Sequence, residues 1–205
     1  MFKGTWRTAD GGSVTIEPVG DAWHLAWKGG AGDGREGCGV AVGSWLYAVR
    51  SPADAVAGAK SGTAAEYDPR TGIIFYEVTD RGEWPATFYH PRDGGKLTEA
   101  VSGRAPKQGL EGRFLVGYES QTGEKHDAIT KVIRRDGDRF RFGWEKEGVT
   151  LYEGVGLPLG PRFAAAWGLP RYDHELIVAE AKDGALAWTA VSMKGPVTTG
   201  TWRKG

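Results

Sequence analysis

A chain of 205 residues with 26 basic and 26 acidic side chains carries no formal net charge, so it has no global field to hold a nucleic acid or an anionic membrane surface. Its single cysteine, Cys38, excludes an intramolecular disulfide and a cysteine-based zinc cage, and no apolar run approaches the roughly 18 residues of a membrane helix. Thirty-three glycines and nine tryptophans suit tight turns between strands that carry large flat side chains.

From Met1 the chain enters patterned sequence without a charged-then-apolar leader, which predicts a cytoplasmic protein as the chain stands; a leader removed beforehand would leave no trace. Val14 and Ile16 alternate, Gly20-Asp21 turns, and Trp23, Leu25 and Trp27 form one face of the next strand with His24, Ala26 and Lys28 on the other. Glu36-Gly37-Cys38-Gly39 leads into Val40-Ala41-Val42, and Gly43-Ser44 connects to a strand over 45–49. The alanine-rich stretch 52–60 is the best place for one short helix or a loop. Strand patterns return at 64–67 and 73–78, and the polar, turn-rich segment 104–109 reads as a join.

Beyond the join the first pattern repeats. Residues 15–50 align without a gap onto 132–167, with identities at Ile16/Ile133, Gly20/Gly137, Asp21/Asp138, Trp27/Trp144, Glu36/Glu153, Gly37/Gly154, Gly39/Gly156, Gly43/Gly160 and Ala48/Ala165. Nine identities in 36 positions, five of them glycine or tryptophan, mark a duplicated unit. The duplicated glycines read as close-approach positions in strands, not as a phosphate loop, because no helix follows them. Trp27 and Trp144 share a register with Leu25 and Phe142 and read as core.

Gly4-Thr5-Trp6, followed by Gly12-Ser13 and echoed by Gly200-Thr201-Trp202, resembles the opening of avidin-like and lipocalin-like barrels. The wider repeat is similar to a family of functionally uncharacterised bacterial all-β repeat proteins. No biotin site carries over: after Trp6 the chain reads Arg7-Thr8-Ala9-Asp10, without the asparagine such a site needs, and only Ser13 has a counterpart. The expected fold is all-β and antiparallel, a lipocalin- or avidin-like barrel architecture of two tandem repeats, 1–103 and 110–205, about the join at 104–109. Each repeat is a small barrel or half of a composite one, two separate barrels being preferred.

The function expected from this reading is non-enzymatic binding of a small or extended apolar molecule in an aromatic-lined cavity or groove. The alternatives are a barrel-cavity isomerase or cyclase using Glu36, Glu153 or His174 as proton carriers, and a structural or protein-interaction module. A ligand is expected where the copies differ: Trp45, Tyr47 and His24, aligned with Arg162, Ala164 and Arg141, and the paired Glu36 and Glu153. His24 and His174 otherwise read as solvated side chains. No catalytic residue, metal site or cofactor is assigned, since His24, His90, His126 and His174 never fall in a ligand spacing, and Asp136-Gly137-Asp138 aligns with a hairpin turn. Nucleic acid and membrane are not expected partners, and oligomeric state is left open.

Overall fold

The computed structural model describes residues 1–56, 71–76, 86–89, 96–102, 111–120, 123, 125–160 and 162–205. The first five strands are β1 (Gly4–Arg7), β2 (Ser13–Val19), β3 (Ala22–Lys28), β4 (Arg35–Val42) and β5 (Trp45–Pro52). Eight more follow: β6 (Thr71–Tyr76), β7 (Ala86–Tyr89), β8 (Lys96–Ser102), β9 (Gly112–Ser120), β10 (Lys125–Asp136), β11 (Arg139–Lys146), β12 (Val149–Leu159) and β13 (Arg162–Gly168). The chain finishes with β14 (Glu175–Lys182), β15 (Ala185–Ser192) and β16 (Thr198–Lys204). Residues 53–56 are helical, which places the expected short helix; the rest of 52–60, from residue 57, lies outside the described residues, as do the strand expected at 64–67 and the join at 104–109.

All pairings are antiparallel and both sheets close. The first barrel runs β1 to β5 and then β14 to β16, sealed by β1 against β16; the second runs β6 to β13, sealed by β6 against β13. Closure removes the free strand edges that an open sheet would expose. Both Gly-Thr-Trp triplets lie on the pair that seals the first barrel, with Trp6 and Trp202 buried inside it.

Strand registers in the two barrels match position for position. Ile16 faces Leu25 as Ile133 faces Phe142, Leu25 faces Gly37 as Phe142 faces Gly154, and Gly39 faces Ala48 as Gly156 faces Ala165. The match continues past the aligned block: Ala48 faces Ile177 as Ala165 faces Ile74, so β6 corresponds to β14. Yet β5 pairs with β14, and β13 pairs with β6. The expected division at 103 and 110 is therefore not a barrel boundary. Each half of the chain gives five strands to one barrel and three to the other, because after β5 the chain leaves its own sheet and completes its neighbour's.

Three apolar clusters follow from this arrangement. Inside the first barrel lie Trp6, Leu25, Trp27, Leu46, Ile177 and Leu186; inside the second, Ile74, Tyr76, Phe88, Ile133, Phe142 and Trp144. The third lies between the barrels and is built from matched positions, Cys38 with Val155, Val40 with Leu157, Tyr47 with Ala164, Val49 with Ala166, Ile73 with Leu176 and Phe75 with Val178. A patch to which both sheets contribute the same register positions has the self-complementary character of an isologous contact. Strands with one face turned to a barrel interior and the other to this seam are buried on both sides, hence the nearly unbroken apolar runs of β6 and β14.

Candidate functional site

The expected site residues do not share one location. Trp45 and Tyr47 come together in the seam, where a Cβ on Gly160 would lie 2.6 Å from the Tyr47 hydroxyl and 2.9 Å from the Trp45 ring. The Tyr47 hydroxyl donates to the Leu159 carbonyl at 3.2 Å, so both rings hold the β12–β13 turn against the first barrel. His24 lies on the outer face of β3, with Nε2 3.0 Å from Glu36 Oε2 and both side chains half-buried. Glu153, the position matched to Glu36, is half-buried and sits opposite Gly143 and Gly168. Arg141 pairs through Nε with Asp136 at 2.6 Å. Arg162 opens β13 opposite Leu159; its side chain lies outside the described residues, as do His90 and the His126 side chain.

His174 corrects its expectation. It is 1% exposed, not solvated, because it stands just before β14, between Ser51 of β5 and Thr71 of β6. Its Nδ1 is 2.8 Å from Ser51 Oγ and 3.2 Å from Thr71 Oγ1, the two hydroxyls are 2.8 Å apart, and Nε2 is 3.2 Å from the Leu169 carbonyl. A carbonyl only accepts, so Nε2 carries the proton and Nδ1 accepts from a hydroxyl. Desolvation foremost, with the nearby Arg35 charge, outweighs the opposing Leu169 bond and holds the imidazole pKa down at about 4. A serine beside a histidine suggests nucleophilic chemistry, but Ser51 and Thr71 are fully buried and the imidazole's second nitrogen faces backbone. The trio is a buried polar latch joining β5, β6 and the start of β14 across the seam.

The two interiors differ. The first barrel is closed at both ends by its own chain. Phe2 packs edge-on to Trp23 with centroids 6.0 Å apart, while at the opposite end Gly30–Gly32 folds over Trp27, a Cβ on Gly32 falling 2.9 Å from that ring. Asp10 fixes this plug, accepting from the Thr8 hydroxyl, from Ala31 N at 2.6 Å and from Gly12 N at 3.3 Å; these bonds, the Thr8 bond foremost, lower its pKa to about 2. Arg50, stacked 5.6 Å from the Trp27 ring centroid, is ion-paired with Glu175.

In the second barrel the matching β11–β12 connection is only the turn Glu147-Gly148. Among the described residues ten aromatic side chains belong to its interior cluster, against six in the first barrel, and Phe114, Tyr118, Phe140 and Tyr152 among them are only partly buried. Lys131 stands in their midst. It is cross-strand neighbour to Phe114 and Trp144, 2% exposed, with Nζ 4.7 Å from the Tyr76 ring centroid. Lys131 is not among the expected site residues, although it holds the register position that inward-facing Val14 holds in the first barrel. Among the described residues the Nε1 atoms of Trp144 and Trp167 are buried without a hydrogen-bond partner, as are those of Trp27 and Trp188 in the first barrel.

Among the described residues no group of histidine, cysteine or acidic side chains could hold a metal ion, and no helix is long and apolar enough to cross a membrane. The chain matches no protein-family model, no curated protein and no solved structure.

Proposed function

We propose that this chain binds a small or extended apolar molecule, without catalysing its conversion, in the aromatic interior of one of its barrels. The observation that carries the reading is the second barrel's interior cluster of ten aromatic side chains among the described residues, four of them only partly buried, in a barrel whose β11–β12 connection lacks the first barrel's plug. Binding interiors of small barrels are lined mainly by apolar and aromatic groups with a few polar ones. The reading also takes the matched registers as an internal repeat of lipocalin- or avidin-like up-and-down barrels. On it, the expected ligand residues Trp45 and Tyr47 contribute through the seam, and His24, Arg141, Arg162, Glu36 and Glu153 would act at the outer faces or rims.

A titration of the full chain with N-phenyl-1-naphthylamine, a neutral apolar fluorophore, tests this. Saturable binding near one probe per chain, with energy transfer from tryptophan, is expected. Fluorescence that rises without saturation, or no binding at all, would refute the reading.

A further inference from the structure

We propose that His174 is an acid-operated release at the crossovers between the barrels: protonating its imidazole opens the adjoining end of the seam while both barrels stay closed. This goes beyond the binding of an apolar molecule and does not rest on it.

The chain passes between the barrels from β5 to β6 and again from β13 to β14, and the latch gathers the strand ends at both passages. Ser51 lies just before the last residue of β5, Thr71 opens β6, Leu169 follows β13 and His174 precedes β14. Counting back from Ile74 and Ile177, which face Ala165 and Ala48 alike, puts Thr71 and His174 at the same register position of the two sheets, so matched positions touch here, 3.2 Å apart. A neutral ring satisfies the site. Its Nε2–H donates to the Leu169 carbonyl, and Nδ1 accepts from the Ser51 hydroxyl, whose oxygen accepts in turn from Thr71. A proton on Nδ1 removes that acceptor, turns both hydroxyls round and leaves a full charge at a position 1% exposed. Among the described residues the surrounding charges do not balance it. Arg35 has the same sign, Asp173 is paired with that arginine at 3.8 Å, and Glu175 is paired with Arg50. The Tyr172 ring stands 6.0 Å from the imidazole, centroid to centroid, and carries Arg171 over it at 5.0 Å. The closed form therefore refuses the proton down to about pH 4, and acid favours a form in which water reaches the ring. Ser51, Thr71, Leu169 and His174 belong to neither barrel's interior cluster, so the strand ends loosen and the closed sheets do not.

Cys38 reports on this end of the seam: it is buried there opposite Val49, two residues along β4 from Glu36, which faces Ser51. Its labelling by 4,4′-dithiodipyridine in the full chain, taken at each pH relative to glutathione, should rise at least tenfold from pH 7 to pH 4.5. Because little surface opens, the rate at pH 4.5 should hardly change with urea below the unfolding transition. His174→Gln, which gains no proton, should keep the ratio within about twofold across the same range. A flat ratio in the wild type or an equal rise in H174Q overturns the proposal. So does a rate that climbs with urea at the full unfolding slope, which would mean that the whole chain unfolds. In case H174Q does not fold, the imidazole nitrogen-15 signals of His174 in the wild type decide. The labelling rise should level off at the midpoint of their titration; a rise that runs on unchanged through that midpoint overturns the assignment to His174.

Discussion

Single residues carry this fold unequally. Trp27 and Trp144 occupy matched interior positions, buried to within a few per cent, so truncating either to alanine should cost about 3–5 kcal/mol, read as a fall in urea midpoint at constant slope. A loss below about 1 kcal/mol would show that the ring is not core. His174 makes stability depend on pH. Its folded pKa of about 4 lies below the ordinary 6.5, so between those values the unfolded chain takes up a proton that the folded chain refuses. The full contribution is present above pH 6.5 and about 3 kcal/mol of it is lost as the pH falls to about 4. Urea melts from pH 7.5 to 4.5 should show that decline in the wild type, and His174→Gln should flatten it whatever its own stability. The latch was invisible in the sequence because Ser51 and Thr71 are distant along the chain and meet His174 only through strand exchange.

At the scale of elements, the two Glu-Gly-x-Gly strands show what their paired glycines do. A Cβ on Gly37 would lie 1.8 Å from the Val49 carbonyl oxygen, and one on Gly154 2.7 Å from that of Ala166; in each barrel a bare backbone lets β4 or β12 lie against its neighbour. Gly143 has no such crowding, its nearest neighbour atom being 3.9 Å away, and the matched residue is Ala26. Gly37→Ala and Gly154→Ala should each destabilise by about 1–3 kcal/mol, whereas Gly143→Ala should stay within about 0.5 kcal/mol; thermal melts of the three variants check the ranking. This register was legible because alternation and paired glycines fix which face each residue takes. Partner choice was not. β6 and β14 present equally apolar patterns, Thr71–Tyr76 and Glu175–Lys182, and the backbone edges of β5 and β13 are chemically alike, so nothing local says which strand completes which barrel.

For the whole molecule, that exchange has a consequence. Residues 1–103 contain five strands of one barrel and three of the other, and 110–205 the converse, so neither segment closes a barrel in the observed pairing alone. Expressed separately, each should self-associate or stay unfolded, and mixing them should yield a one-to-one complex by light scattering; a folded monomer of 1–103 would contradict the exchange. The seam of matched residues around Tyr47, Phe75 and Val178 is what such a complex would have to rebuild. The candidate site was partly legible: an aromatic interior followed from alternation, while the lysine within it emerged only once Val14 and position 131 were seen to share a register. The claim that a barrel interior, rather than an outer face, receives the ligand is tested most directly by the indole N–H resonances of the uniformly nitrogen-15-labelled chain during titration with the naphthylamine probe. The signals of Trp144 and Trp167 should move in step with probe occupancy while those of Trp6 and Trp202 stay fixed; binding that leaves Trp144 and Trp167 unmoved would contradict the account.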